Sequence, residues 1–211
     1  MDALHILIAS FVSFLVSIFS VSVGGTALIT VPMLISLGMV SNNAVATNMF
    51  ALIFLSVSGA FGFREAWKVK HGGLFIFLSL LTVCGSFIGA NLIVSIDRDI
   101  LETVIGVMIF IMAAFFIIKK DLGVLTEEKS LSRGRLIAGT LLVFILGVYG
   151  GFFSGGYVTV LSYVLVLVFS MNFLEAALMT KLLNIFSSLV ACVFFFVHDL
   201  IDFHVGIPLA I

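Results

Sequence analysis

Residues 147–160 read GVYGGFFSGGYVTV, with five glycines, a serine and a threonine inside a stretch otherwise apolar enough to sit in a lipid bilayer. The apolar run around it, 136–169, is about 35 residues long. As one continuous helix it would reach about 50 Å at 1.5 Å per residue, too long for an ordinary crossing of a hydrocarbon core. A second run of the same length, 4–38, carries its own glycine pair, Gly24-Gly25, where the first has Gly155-Gly156. Each run is expected to be a helix broken at its glycines.

The rest of the composition sets the environment. Of 211 residues 62% are hydrophobic and only 10% charged, with a mean hydropathy of +1.35. A soluble domain of this size carries about 25% charged residues to cover its surface. The chain therefore reads as an all-α polytopic membrane protein. Polar breaks divide it into apolar stretches at 4–38, 43–63, 72–95, 99–118, 136–169, 173–197 and 203–211. The N-terminus lacks the positive leader and small-residue cleavage pattern of a removable signal peptide, so it is kept as the first membrane segment. A net charge of −1 without a basic run leaves nothing to neutralise several phosphates, which excludes nucleic acid as a partner. Cys84 and Cys192 both fall inside apolar runs, where a thiol behaves as a small hydrophobe.

Eight of the ten Lys and Arg residues cluster in two loops, Arg64, Lys68 and Lys70 in one, and Lys119, Lys120, Lys129, Arg133 and Arg135 in the other. The positive-inside rule places loops 64–71 and 119–135 in the cytoplasm of a cell (plasma or inner) membrane, with the N-terminus and the loop at 198–203 outside. If Arg135 is inside and Asp199 outside, span 173–197 makes the single net crossing. The run 136–169 must then return to its own side as a re-entrant or two-pass hairpin.

The two halves also echo each other. SVGGTALITVP (22–32) precedes NAVATNMFALIFLSVSGAF (43–61), as SGGYVTVLSY (154–163) precedes AALMTKLLNIFSSLVACVF (176–194). Ala44 and Thr47 return as Ala177 and Thr180, and His71 as His204, all at an offset of 133. The expected organisation is a first repeat over 1–120, a cytoplasmic linker over 121–135 and a second, inverted repeat over 136–211. Carrying the same offset forward from Lys120 puts a complete second repeat about 40 residues further on. That matches either a shortened chain or a relative with an incomplete repeat.

On these features the chain resembles the sulfite exporter TauE/SafE family of membrane permeases. The resemblance rests on the glycine break followed by V-P-M-L-x-x-x-G (Val31 to Gly38), on A-x-x-T-N (Ala44 to Asn48) and on T-K-x-x-N-x-x-S (Thr180 to Ser187). The first break has Gly-Gly-Thr where the family often has three glycines, and the second has Tyr163 near the position of the proline. The resemblance implies transport of a small, sulfur-containing anion such as sulfite, thiosulfate or an organosulfonate.

Physical chemistry points to an anion without the resemblance. Irregular backbone survives at membrane depth only where protein buries it or water lines it. A half-helix starting at such a break offers free N–H groups and a positive dipole end, and paired broken helices in two repeats mark a midplane transport site. Glycine pairs can also serve close helix packing, which is the competing reading. Lys181 lies well inside span 173–197, where an ionisable residue is a functional candidate; snorkelling or a pair with Glu175 are its plain alternatives.

The expected substrate contacts are Gly24, Gly25, Thr26, Thr47 and Asn48 in the first half, with Ser58 facing inward beside them. In the second half they are Ser154, Gly155, Gly156, Tyr157, Thr180, Lys181 and Asn184. His71 and His204 are candidates for coupling to H+, with Na+ the other possible coupling ion. The cluster His198, Asp199, Asp202 and His204 has metal-binding residue types but aligns with the plain loop 67–71, so it reads as a solvated connector. No metal or cofactor is expected. The competing functions are a passive channel or membrane assembly subunit, and an intramembrane hydrolase built on Ser154 with His198 as base.

Overall fold

The computed structural model describes residues 2–66, 72–118 and 133–210. Among these residues there is no strand. The helices follow in order as α1 (Ala3–Val23), α2 (Thr26–Ser36), α3 (Ser41–Gly62), a 3-10 turn (Arg64–Ala66), α4 (Gly72–Ser95) and α5 (Arg98–Ile118). After the second basic loop come α6 (Arg133–Phe152), α7 (Tyr157–Leu167), α8 (Phe173–Val197) and α9 (Phe203–Ala210). Five of the described helices, α1, α3, α4, α6 and α8, are long and apolar enough to cross a membrane. Both long apolar runs break at their glycine pairs, into α1 and α2 and into α6 and α7. Each break is followed by a helix of 11 residues.

The outer surface and the interior exchange their usual chemistry. Phe19, Phe110, Ile137 and Val197 are among the large apolar side chains left exposed, which suits contact with lipid tails. The buried side includes Thr26, Thr30, Thr47, Asn48, Ser56, Thr82, Ser86, Thr180, Asn184 and Ser187. Between helices in lipid, attraction comes from close packing and interhelical hydrogen bonds rather than from hydrophobicity. Here Ser86 Oγ donates to the Ser187 carbonyl at 2.7 Å and accepts from Ser187 Oγ at 3.2 Å, tying α4 to α8.

The five glycines of residues 147–160 divide between two jobs. Gly147, Gly150 and Gly151 lie inside α6 and are buried. A Cβ at Gly147 would sit 3.1 Å from Thr82 Cα, and one at Gly85 would sit 2.7 Å from the Phe144 carbonyl oxygen. Gly89 and Gly151 likewise meet the backbone of Val148 and Ser86. The competing packing reading is therefore correct for these glycines, which let α4 and α6 touch backbone to backbone, while Gly155 and Gly156 make the break.

Past that break the chain turns back on itself. Arg135, in the first turn of α6, donates to the carbonyl of Leu167, the last residue of α7, at 2.6 Å. Val168 and Phe169 occupy the space a side chain at Gly139 would need. The run 136–169 thus returns toward its own start, the hairpin expected from the charge distribution.

Candidate functional site

The two breaks share one backbone solution. Gly25, immediately before α2, has φ 92 and ψ 3, and Gly156, immediately before α7, has φ 77 and ψ −4. Only glycine enters this left-handed region without steric cost. Neither helix start receives a side-chain cap. Leu28 N donates to the Gly25 carbonyl at 3.0 Å and Tyr157 N to the Ser154 carbonyl at 3.1 Å, which tightens each start, while the positive dipole end of each helix still faces the space in front. The breaks also pack against each other. A Cβ at Gly24 would lie 2.8 Å from Val158 Cβ on α7, and one at Gly155 would lie 2.8 Å from Leu28 Cδ2 on α2.

Lys181 projects from α8 into this meeting point and is 2% exposed. Its stem passes over Gly59 of α3, where a Cβ would be 3.1 Å from Lys181 Cε and 3.2 Å from Cδ. Gly24, Gly25, Thr26, Ser154, Lys181 and Asn184 surround a void of about 10 Å³. That is about the space of a single water molecule. One turn along α8 from Lys181, Asn184 Nδ2 donates to Ser56 Oγ across to α3 at 2.7 Å, which fixes the amide and leaves its Oδ1 without a partner among the described residues. Ser154 Oγ, on a residue held at φ 62, also has no partner among the described residues.

Among the described residues, no hydrogen bond or ion pair holds the Lys181 ammonium. Glu175, its candidate partner, instead completes the α8 capping box, its Oε2 accepting from Asn172 N at 3.2 Å. A lysine charge at the centre of a membrane helix costs about 2.5–3.5 kcal/mol on insertion scales. An uncompensated cation beside two helix N-termini is an arrangement that an anion stabilises.

Six of the expected contacts therefore line one void, and the others sit elsewhere. Thr180 Oγ1 donates to the Ala176 carbonyl at 2.6 Å and lies 3.1 Å from Ser162 Oγ. Thr47 Oγ1 accepts from Asp202 N at 3.0 Å. Successive helical residues are about 100° apart, so Thr180 cannot share the Lys181 face. Asn48 instead turns toward α2, where its Oδ1 accepts from Thr30 Oγ1 at 2.5 Å. The Gly155 carbonyl accepts from the Tyr149 hydroxyl, Gly156 backs onto Met112, and the Tyr157 ring is fully buried against Gly150.

Ser58 is exposed and bonds back to the Leu55 carbonyl at 3.0 Å, while Ser56 and Gly59 are the α3 residues that face α8. Their signal in the sequence is S-x-x-G (56–59), spaced like Lys181 and Asn184 on the helix opposite. His204 is exposed in the first turn of α9, its N–H bonded to the Asp202 carboxylate at 3.0 Å. His71 lies outside the described residues, as do Lys68, Lys70, Lys119, Lys120 and Lys129. His198, the candidate base for Ser154, stacks on Phe194 with ring centroids 4.7 Å apart.

Broken apolar helices meeting around a buried lysine define a polytopic α-helical membrane protein of the broken-helix type. The chain belongs to the Sulfite exporter TauE/SafE family, whose sequence pattern matches residues 9–211. It is 29% identical over 195 residues to a probable membrane transporter protein of Haemophilus influenzae, covering 92% of this chain and 75% of that one. It is 28% identical over 185 residues to the probable membrane transporter protein YfcA of Escherichia coli, covering 85% and 65% of the two chains. A probable membrane transporter protein of Sinorhizobium is 26% identical over 207 residues, with coverage of 97% and 78%. The chain thus spans about two thirds to three quarters of the length of these relatives. No solved structure matches it. The family and these relatives make the chain a membrane transporter.

Proposed function

We propose that this chain is a secondary transporter for a small anion, sulfur-containing as the family description suggests, such as sulfite, thiosulfate or an organosulfonate. The single observation that carries the reading is Lys181, buried where the breaks of both halves meet and without a counter-charge among the described residues. Lys181 supplies the charge, and the starts of α2 and α7 add their positive dipole ends. Ser154 and Asn184 add polar contacts.

The void is the size of one water, so an oxyanion fits only if the two breaks move apart. That requirement couples binding to motion, with residues 1–120 and 136–211 acting as two inverted repeats that alternate access through the Gly24-Gly25 and Gly155-Gly156 hinges. The charge pattern puts loops 64–71 and 119–135 in the cytoplasm of the cell membrane and the N-terminus outside. Coupling to H+ through His71 and His204 follows from their pairing between the halves.

The test is a thermal-shift panel on purified protein with sulfite, thiosulfate, sulfoacetate, taurine, sulfate and chloride, comparing wild type with Lys181→Met. A ligand that binds only the folded state stabilises it by about 2.7 kcal/mol at a hundredfold excess over Kd. Stabilisation by one sulfur oxyanion that disappears in the variant is the expected result. An equal shift in both proteins removes Lys181 from the site.

A further inference from the structure

One residue grips the turn between α6 and α7 with its carbonyl, its ring and its hydroxyl. Tyr149 lies in the last turn of α6, five residues before Ser154 and six before Gly155 in Y-G-G-F-F-S-G (149–155). Its main-chain carbonyl accepts from Phe153 N at 2.9 Å and from Ser154 N at 3.3 Å. Its ring lies edge-on to Phe153 with centroids 6.4 Å apart, and its hydroxyl donates to the Gly155 carbonyl. Tyr149 thus holds the residues on both sides of Ser154 as well as the Ser154 N–H.

Ser154 needs that hold. At φ 62 it sits in the left-handed region, which is costly for any residue with a Cβ and persists only where the surroundings over-determine it. The same angle aims the side chain, because rotation about N–Cα to the ordinary negative φ points Cβ elsewhere. In the observed conformation Ser154 is 5% exposed and lines the void with Lys181. Tyr149 borders a different space, among Leu92, Val104 and Phe152, and so acts on a ligand at Lys181 only through the turn.

The groups around the void differ in what they distinguish. The Lys181 ammonium is a compact point charge on a flexible stem, and it and the dipole ends of α2 and α7 attract a small anion whatever its shape. A hydroxyl whose oxygen is fixed in place is more selective, since a hydrogen bond weakens steeply as its angle closes. It favours an oxyanion that sets a lone pair in line over a spherical halide. Asn184 Nδ2 already donates to Ser56, whereas Ser154 Oγ, unpartnered among the described residues, keeps its hydrogen for the ligand.

We propose that Tyr149 is a positioning residue of the anion site, holding the Ser154 hydroxyl toward Lys181 and so setting a preference for oxyanions over halides. The inference rests on the anion-transport reading of Lys181 and adds to it the source of discrimination.

The test compares the purified full chain as wild type, Tyr149→Phe, Ser154→Gly and the double variant. Tyr149→Phe keeps the ring against Phe153 and removes the hydroxyl. Ser154→Gly accepts the left-handed backbone without strain and removes the donor. Thermal shifts titrated with sodium sulfite, sodium thiosulfate and sodium chloride give the concentration of each anion at half-maximal stabilisation. Following the change in the oxyanion-to-chloride ratio cancels the difference in charge between the anions.

Tyr149→Phe should raise the half-maximal concentration of the better-binding oxyanion about tenfold, the scale of one hydrogen bond to a charged group, and leave the chloride response as it is. Ser154→Gly should do the same. The double variant should lose no more than either single one, because Tyr149 acts through Ser154. Equal weakening toward oxyanion and chloride, or losses that add in the double variant, would give Tyr149 a structural role alone and overturn the inference. An unchanged oxyanion response in Tyr149→Phe overturns it as well, and leaves the Lys181 site standing where Lys181→Met abolishes that response. If Tyr149→Phe does not fold, Ser154→Gly decides, and a wild-type ratio in that variant overturns the inference. No stabilisation of the wild type by either oxyanion removes the Lys181 reading and this inference together.

Discussion

The backbone of Gly24 lies so close to Val158 that a Cβ at Gly24 would come within 2.8 Å of Val158 Cβ. This contact joins the end of α1 to the first turn of α7 and so joins the two glycine breaks. Gly24 also has φ 87 and ψ −169, a region essentially closed to other residues. Gly24→Ala should therefore combine strain and overpacking and cost about 3 kcal/mol. Gly38 has φ 93 but open space around it, so Gly38→Ala should cost only about 1 kcal/mol. Denaturant unfolding of both variants in detergent micelles checks the ranking. Equal losses would mean that the inter-break contact contributes nothing.

The α4–α6 contact gives a second ranking. A side chain at Gly85 would meet the Phe144 carbonyl at 2.7 Å, and backbone in a packed helix has no rotamer with which to yield. Gly85→Ala should separate the helices and cost about 3 kcal/mol. Gly106→Ala, with open space around it in α5, should be neutral or stabilise by about 0.5–1 kcal/mol through helix propensity. Unfolding midpoints for the pair decide it, and a well-folded Gly85→Ala protein would show that α4 and α6 are not so close.

The Asn184 to Ser56 bond predicts a small but measurable coupling. Interhelical hydrogen bonds in membranes average about 0.6 kcal/mol in double-mutant cycles. Ser56→Ala, Asn184→Ala and the double variant should give a coupling near that value. Ser56→Ala alone should also weaken the anion-induced thermal shift, because it frees the amide to rotate. Additive losses in the cycle would argue that the two helices are held by packing alone.

Much of this was legible in the sequence, and what was not has a common cause. The boundaries of α3, α4, α5, α8 and α9 follow from where apolar runs meet charges and turns. Both breaks follow from runs too long for one crossing. Lys181 stood out because an ionisable residue in hydrocarbon needs a reason. The packing glycines Gly147 and Gly151 were hidden because a small residue for close approach and a small residue for a left-handed turn look identical in a string. Ser56 and Gly59 were hidden because their importance lies in what they face on α8, and helix-to-helix register is not written in either helix alone. Thr47 and Thr180 entered the expected site as sequence neighbours of Asn48 and Lys181, but a helix turns neighbours apart.

Lys181 itself should trade stability for function. Lys181→Met keeps a stem able to lie over Gly59 and removes the charge that no group among the described residues balances. Replacing a buried charge by an apolar residue of similar shape is often stabilising by 1–4 kcal/mol. The variant should accordingly be more resistant to unfolding than wild type by about 2 kcal/mol, the scale of the insertion cost it avoids. It should also lose any stabilisation by anions. Strained or destabilised sites of this kind persist because function needs them. Unfolding free energies measured with and without sulfite provide the check. A variant less stable than wild type without ligand would mean that Lys181 is held by a favourable internal interaction, and its case as an anion site would fall.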